Sequence, residues 1–271
     1  MRDYKVKPIV SLARGLRVLR ALQDMRAASL HDLHLATGIP KATLTRILLT
    51  CHQQGLIWQR MADGAFLPSH THEGRARYDD ADWLGEIASP VLEQLCEKVM
   101  WPSVLTVPRL DYMETIETNS PRAYFDEMAP LAPVGFRSHM LRGASGRAYL
   151  AFCPEREREA VLRRLREQGV PGNELAHDAA WVSRLVRTTR ARGYSVRAAD
   201  YGGDYAGTRA EVDDGRNSIA VPIRLHGQVL GCVNLTWRLK VMTPRQAADR
   251  HLDDLRAAAA EIASLATTIA A

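Results

Sequence analysis

The 271-residue chain has few of the features that mark secreted, metal-binding or membrane proteins. Its four cysteines lie far apart and form no Cys-x-x-Cys pair, which argues against a disulfide framework and against a zinc knuckle. No apolar run approaches the roughly 20 residues that cross a bilayer, and residues 1–10 lack the apolar core of a signal peptide. We therefore expect a soluble, cytoplasmic protein with no membrane partner.

The chain also lacks a group of residues typical of a catalytic, metal or cofactor site. The segment Gly143–Gly146 resembles the Gly-x-Ser-x-Gly turn of hydrolases, but Arg147 stands where that turn requires glycine. Two pairs of closely spaced histidines could suggest a metal site, but neither pair has the nearby cysteine or paired carboxylates that such a site needs. These pairs are His31 with His34 and His70 with His72. No catalytic residue, metal or cofactor is predicted.

Charge is unevenly distributed along the chain, whose formal net charge is +5. Residues 1–70 hold ten Lys or Arg and four Asp or Glu, a net charge of +6. Residues 71–271 hold 26 basic and 27 acidic residues, a net charge of −1. This asymmetry suggests a small module that faces a polyanion, joined to a larger part with another task. Chance scatter of surface charge is the alternative.

Residues 1–70 have the pattern of a winged helix-turn-helix. Apolar residues recur at helical spacing in three segments. These predicted helices span Val10–Met25, Leu30–Thr37 and Lys41 to about Gln54. Ser29 is a plausible N-cap of the second helix, and Gly55 ends the third. Strand-like runs at 56–60 and 65–68 flank an Asp-Gly turn, which predicts a hairpin.

Beyond residue 70, a polar stretch leads to a predicted connector helix from Trp83 to about Val99. Short strands then alternate with helices, and the predicted strands are Ser103–Val107, Tyr112–Thr118, Ser218–Arg224 and Gln228–Trp237. The predicted helices are Ser145–Phe152, Glu155–Gln168, Ala180–Arg192 and Pro244–Ala271. The pattern predicts an α+β fold in which an antiparallel sheet carries helices on one face. The predicted divisions are a module at 1–70, a connector at 71–99 and a domain at 100–271.

The outer face of the third predicted helix carries hydroxyls and cations but no carboxylate, which suits the major groove of DNA. We expect Arg46 to read a guanine and Arg60 to place the wing beside the duplex. Arg14 and Arg17 either contact flanking phosphates or are simply solvated. The candidate DNA-binding residues are Lys41, Ala42, Thr43, Thr45, Arg46, Thr50, Arg60, Arg14 and Arg17. A protein-binding winged helix is the alternative.

Several segments resemble motifs of the IclR family of bacterial transcriptional regulators. Leu30–Leu48 resembles the family's second and recognition helices. Gly143–Ala151 resembles its Ser-Gly-Lys-Ala-x-Leu-Ala signature, with Arg147 in place of lysine. Ser218–Ile223 and Leu230–Leu235 resemble the paired strands of its effector domain. The resemblance covers almost the whole chain.

This resemblance implies a GAF-like C-terminal effector domain, a homodimer or homotetramer, a palindromic double-stranded DNA operator and a small organic acid as effector. Three segments, Trp101–Ser103, Ala151–Glu155 and Met242–Pro244, resemble activators of the catabolism of hydroxyphenylpropionate, an aromatic acid. One alternative is an IclR-type repressor that responds to a short aliphatic keto acid. An alternative of another class is a small-molecule enzyme with a basic N-terminal appendage.

The resemblance also places the effector between the start of the signature helix and the strands that face it. Backbone N–H groups at a helix start attract a carboxylate, although Ser145 as a plain N-cap is an alternative. Asn234 and Thr236 match strand positions that carry small polar residues toward the ligand, and Asp213 precedes the first of the paired strands. Arg142 offers a cation and Trp101 an aromatic wall, although a solvated arginine and an ordinary core tryptophan are the alternatives. The candidate effector-binding residues are Ala144, Ser145, Gly146, Asp213, Asn234, Thr236, Arg142 and Trp101.

Overall fold

The computed structural model describes residues 9–69, 81–120 and 132–270. The chain divides into two compact units, Met1–Glu86 and Ile87–Ala271. His70, His72 and most of the predicted polar stretch after residue 70 lie outside the described residues. Within the described part of the chain, no helix is long and apolar enough to cross a membrane.

The first unit begins with three helices and a two-stranded antiparallel hairpin. These elements are α1 (Val10–Met25), α2 (Leu30–Thr37), α3 (Lys41–Gln53), β1 (Ile57–Gln59) and β2 (Phe66–Pro68). The helices bury one shared apolar cluster that includes Val18, Leu22, Leu33, Leu44 and Leu48. The predicted winged helix-turn-helix is therefore confirmed.

Local chemistry explains where α2 begins and ends. The Oγ of Ser29 accepts the Asp32 N–H at 3.2 Å, and Asp32 Oδ2 accepts the Ser29 N–H at 2.9 Å. This capping box satisfies two N–H groups that the helix itself leaves unpaired. Gly38 follows the helix at φ +66°, a left-handed conformation that side chains with a Cβ disfavour, and turns the chain toward α3.

Only some of the apolar residues of α1 pack into the core of the first unit. Leu22 is fully buried, whereas Leu12 and Leu16 are 57% and 48% exposed. Ile9, just before the helix, is also exposed. These side chains form an apolar face at helical spacing, which lies outside the core of the unit.

The second unit contains most of α4, a six-stranded antiparallel sheet and four further helices among the described residues. The helices are α4 (Asp82–Val99), α5 (Ala144–Phe152), α6 (Glu155–Glu167), α7 (Ala179–Arg192) and α8 (Pro244–Ala270). The strands are β3 (Ser103–Pro108), β4 (Tyr112–Thr118), β5 (Arg137–His139), β6 (Ser195–Val196), β7 (Arg216–Leu225) and β8 (Gln228–Arg238). Their spatial order is β5-β4-β3-β8-β7-β6. The predicted α+β class with an antiparallel sheet is confirmed.

Helices cover both faces of this sheet, so the expectation of helices on one face is wrong. Ala220 and Cys232 pack with α5 in one apolar cluster. Ile219 and Val221 alternate with Ala220 along β7, so they point to the opposite face, where they are also buried. Since α8 packs along β7 as well, it covers that second face.

Three short elements were not predicted from the sequence: β5, β6 and a 3-10 helix at Asn173–His177. Each is too short for a periodic apolar pattern to be visible. The two strands pair at opposite edges of the sheet, β5 with β4 and β6 with β7. Their positions are therefore set by the neighbouring strands.

We predict that Ser29→Ala lowers the free energy of unfolding of the first unit by about 1 kcal/mol, because the Asp32 N–H loses its acceptor, Ser29 Oγ. Urea denaturation followed by helical circular dichroism measures the effect. Ser11→Ala, an exposed serine in the first turn of α1, is the matched control and should stay near wild type. Equal stability of the two variants would contradict the capping role.

Candidate functional site

One half of the circumference of α3 is exposed to solvent. It carries Lys41, Ala42, Thr45, Arg46, Leu49 and Thr50. The opposite half is buried in the core of the first unit through Leu44, Leu48 and Cys51. Thr43, which was predicted to contact DNA, lies half-buried at the border. The exposed face thus brings together most of the predicted DNA-binding residues.

The exposed face of α3 offers donors and apolar surface without any carboxylate. The hydroxyl of Thr45 donates to Lys41 O at 3.0 Å and that of Thr50 to Arg46 O at 2.9 Å, so each hydroxyl oxygen still offers acceptor lone pairs. Leu49 is 55% exposed in the middle of this face. Sequence reasoning missed it because it attended to polar residues, yet an apolar side chain there suits a thymine methyl group.

The three remaining predicted DNA contacts differ in their surroundings. Arg60 holds the wing turn together, since its Nε and Nη2 donate to Asp63 at 3.0 and 2.7 Å. Arg17 Nη1 lies 3.4 Å from Thr37 O, a long hydrogen bond. Arg14 is exposed. Arg60 in the wing therefore forms an ion pair with Asp63, while Arg46 on α3 is exposed to solvent.

A cavity of about 200 Å³ lies in the second unit between the start of α5 and the sheet. It is lined by Val104, Ala132, Pro133, Phe136, Ser138, Gly143, Ala144, Ser145, Arg197, Tyr201, Gly203, Asp214, Arg216, Ser218, Asn234 and Thr236. The described walls are therefore mixed: a helix start, strand hydroxyl and amide groups, two aromatic rings, two guanidinium groups and one carboxylate. Such a lining is typical of a site for a small polar ligand.

Ala144, Ser145, Asn234 and Thr236 were predicted to meet the effector, and all four line this cavity. Asn234 Nδ2 donates to Ser145 Oγ at 3.2 Å, which ties α5 to β8. Gly143 is the N-cap of α5, so the N-cap alternative for Ser145 is wrong. Ser145 instead occupies the first turn, where backbone N–H groups have no partner within the helix.

The other four predicted effector residues do not line the cavity. Gly146 packs against Met140, and a Cβ on it would lie 2.5 Å from Met140 Cα and O. Asp213 is exposed and accepts from Arg209 Nη1 at 2.7 Å. Arg142 and Trp101 are buried elsewhere in the unit. Glycine is thus required at position 146 by packing. The carboxylate that lines the cavity is that of Asp214, the residue after Asp213.

Sequence reasoning missed the charged pair in the cavity wall. Arg197 donates to both carboxylate oxygens of Asp214, each at 2.9 Å, and through Nε to Tyr201 O at 3.0 Å. The guanidinium also lies over the Tyr201 ring, 4.9 Å from its centroid. Burial raises the pKa of Tyr201, so its phenol stays protonated. Arg197 and Tyr201 closely follow β6, a strand that is too short to be recognised in the sequence.

Two family models together match most of the chain. An IclR helix-turn-helix domain matches residues 11–60, and the bacterial transcriptional regulator IclR C-terminal domain matches residues 80–264. The chain belongs to the IclR family of bacterial transcriptional regulators. The first match covers α1–α3 and β1, and the second contains every residue that lines the cavity.

Individual proteins also resemble this chain. The HTH-type transcriptional regulator KipR of Bacillus subtilis is 25% identical over 224 residues, which are 80% of this chain and 85% of KipR. The IclR of Thermotoga maritima is 18% identical, with a TM-score of 0.52 over 94% of this chain and 98% of that one. An IclR homologue from Microbacterium hydrocarbonoxydans, in complex with 4-hydroxybenzoate, is 24% identical, with a TM-score of 0.51 over 94% and 98%.

Membership of this family fixes the class of function. The chain is a DNA-binding transcriptional regulator with a helix-turn-helix domain and a C-terminal effector-binding domain. Its relatives are regulators, not enzymes, so the enzyme alternative is rejected. The protein-binding alternative for the winged helix is rejected on the same ground. Which of its residues bind DNA or effector stays a prediction.

We predict that Asp214→Ala lowers the free energy of unfolding of the effector domain by about 2 kcal/mol, because it leaves the buried Arg197 guanidinium without its carboxylate. Asp213→Ala removes a neighbouring, exposed ion pair with Arg209 and should cost less than about 1 kcal/mol. Thermal and urea unfolding of the two variants measure the difference. A larger loss for Asp213→Ala would show that the cavity carboxylate has been assigned to the wrong residue.

Proposed function

We propose that this IclR-family regulator acts in the cytoplasm, binds a palindromic operator as a homodimer or homotetramer, and controls a degradation operon in response to a small aromatic acid. The observation that carries the proposal is the cavity beside the start of α5, whose described lining combines cationic, hydrogen-bonding and aromatic groups. The activators of hydroxyphenylpropionate catabolism, which segments of the chain resemble, respond to such an acid.

Charge around the cavity supports an anionic ligand. Its described lining holds two guanidinium groups, those of Arg197 and Arg216, and one carboxylate, that of Asp214. The described lining therefore offers guanidinium donors to a ligand carboxylate. Unpaired N–H groups at the start of α5 add a favourable dipole on the same side. An anionic acid matches this arrangement better than a cation.

Shape and similarity favour an aromatic acid. The rings of Phe136 and Tyr201 line the cavity. Its volume of about 200 Å³ lies below the range of drug-sized pockets, about 300–1,000 Å³, and suits a single-ring acid. The Microbacterium hydrocarbonoxydans homologue binds 4-hydroxybenzoate, an acid of this class. The small volume also fits a short aliphatic keto acid, the second candidate.

On the DNA side, we propose that α3 enters the major groove with its exposed face. Arg46 hydrogen-bonds a base edge, Lys41 contacts a base or phosphate near the helix start, and Leu49 contacts a thymine methyl group. The exposed leucines of α1, Leu12 and Leu16, are the surface through which two copies pair. A symmetric pair of recognition helices reads a palindrome.

Effector binding acts on operator binding only if the acid binds two arrangements of the paired DNA modules with different affinity. We propose α4 as the connecting element, because it runs from the first compact unit into the second. Coupling of this kind is about 1–3 kcal/mol, which changes operator affinity about 5–150-fold.

We predict that Arg46→Ala weakens specific operator binding by about 1–3 kcal/mol and relaxes one base preference, because a bidentate contact is lost. Gel shifts against the operator and against single-base variants at fixed salt measure both effects. Arg20→Ala removes the same charge from an exposed position on α1 and is the control. If both variants bind alike and keep the wild-type base preference, Arg46 is not a base-reading residue.

We predict that Ser145→Ala and Asn234→Ala each weaken effector binding about five-fold or more while the fold stays intact, since each removes a polar group that lines the cavity. Calorimetry with 3-(4-hydroxyphenyl)propionate, 4-hydroxybenzoate and glyoxylate tests both affinity and ligand class. Ser264→Ala, on the exposed surface of α8, is the control. Binding of glyoxylate alone would overturn the aromatic proposal, and wild-type affinity in both variants would remove these residues from the site.

A further inference from the structure

The cavity beside α5 runs along β7 and β8, and its two ends carry different chemistry. Asn234 on β8 donates to Ser145 Oγ at 3.2 Å, which places one end at the start of α5. Asp214 accepts the Arg216 N–H at 3.0 Å, which places the other end at the start of β7. All four of these residues line the cavity.

The strand register sets the distance between the two ends. Asn234 pairs with Ala220, and Arg216 lies four residues before Ala220 in β7. Since a strand rises about 3.4 Å per residue, these two levels are about 14 Å apart along β7. Ser218 and Thr236 pair with each other between them and also line the cavity. Side chains at every second position point to the same face, so the lining is continuous from Asn234 to Arg216.

The end at α5 suits a carboxylate. Gly143 is the N-cap of α5, and the N–H groups of the next three residues make no backbone hydrogen bond in the described structure. Ser145 Oγ accepts from Asn234, so its own hydroxyl proton can be donated to a ligand. Unpaired N–H groups and the helix dipole both favour negative charge at this end.

The end at β7 offers an acceptor instead. Arg197 donates to both carboxylate oxygens of Asp214, each at 2.9 Å, and to Tyr201 O at 3.0 Å, so all three of its side-chain nitrogen atoms donate within the protein. Oδ2 of Asp214 accepts only from Arg197 in the described bonds, and a carboxylate oxygen has a further lone pair to offer. The side chain of Asp214 is 23% exposed and that of Arg197 only 5%. The carboxylate is therefore the more accessible group of this pair.

Charge selects a neutral donor for the end at β7. Arg197 balances the charge of Asp214, and Arg216 brings a second guanidinium to the described lining. A ligand ammonium would be repelled by both guanidinium groups, whereas a hydroxyl carries no charge. A hydroxyl that donates to a carboxylate forms a charge-assisted hydrogen bond, which is stronger than one between two neutral groups.

We propose that the effector is an acid with a hydroxyl group at its far end, and that Asp214 is the residue that selects this hydroxyl. The ligand carboxylate binds at the start of α5, and the ligand hydroxyl donates to Asp214. Hydrogen bonds of about 2.7 Å at each end leave about 8–9 Å between the two polar groups of the ligand. A single ring with substituents at opposite ends covers such a span, and a two-carbon keto acid does not. The inference rests on the proposed function of this cavity as the effector site.

Selection follows from the cost of an unpaired acceptor. A ligand without the hydroxyl removes water from Asp214 and gives its free lone pair no donor in return. A site built to hydrogen-bond a ligand hydroxyl therefore rejects an analogue without it far more strongly than an apolar pocket rejects a small change in size.

Calorimetry with two pairs of acids of nearly equal shape tests the proposal. 4-Hydroxybenzoate is compared with 4-methylbenzoate, and 3-(4-hydroxyphenyl)propionate with 3-(4-methylphenyl)propionate, because a methyl group is close to a hydroxyl in size but donates no hydrogen bond. In at least one pair, wild type should bind the hydroxylated acid about tenfold more tightly or better. Burial of the methyl group alone would favour the analogue.

Asp214→Asn keeps the size of the side chain but removes its charge. It should lower the affinity for the hydroxylated acid and leave that for the methyl analogue nearly unchanged, whereas a merely structural role would lower both affinities together. Asp213→Asn, at the exposed neighbouring residue, is the matched control and should keep the wild-type preference.

The outcomes separate this inference from the proposed function. Equal binding of both members of each pair by wild type overturns the role of Asp214 but leaves an aromatic acid as the effector. Failure of all four acids to bind overturns both proposals. A wild-type preference that persists in folded Asp214→Asn also overturns the role of Asp214. Should Asp214→Asn fail to fold, a crystal of wild type with the hydroxylated acid decides, because the ligand hydroxyl must lie within hydrogen-bond distance of Asp214.

Discussion

The close approach of α5 to the turn before it determines most of the geometry around the cavity. Gly146 permits this approach, since a Cβ there would lie 2.5 Å from the backbone of Met140. The helix start then sits against β8, where Ser145 Oγ accepts the hydrogen bond of Asn234 Nδ2. One packing contact therefore brings unpaired helix N–H groups beside strand side chains, which is the arrangement that attracts an anion.

The two units use their cations in opposite ways. In the first unit Lys41 and Arg46 are exposed on one helix face, where a polyanion can approach them. In the second unit Arg142, Arg147 and Arg197 are largely withdrawn from solvent and bonded to carbonyls or to a carboxylate. A net charge of −1 over residues 71–271 gives no sign of this buried positive charge. Recognition of an acid, as proposed for the effector domain, would therefore depend on a few placed donors and not on net charge.

Exposed apolar residues of the first unit support the contacts proposed with DNA and with a second copy. Leu12 and Leu16 lie on α1 outside the core, and Leu49 lies on the exposed face of α3. Neighbouring exposed apolar side chains of this kind are common at interaction sites. Leu49 is exposed because Leu44 and Leu48 already fill the inward face of α3. Pairing of copies through α1 would leave α3 available for DNA.

Local chemistry allowed the elements to be predicted: α2 spans Leu30–Thr37 as expected because its capping box and its terminal glycine act within a few residues. The family resemblance, and with it the regulatory function, was likewise carried by short motifs. Only the tertiary structure decided that Asp214, and not Asp213, faces the cavity. Neighbouring residues point in different directions, and a shift of one position exchanges solvent for interior. It also decided that Arg142 is buried, because the group that covers it, Gly172, is brought there by the chain's return after α6.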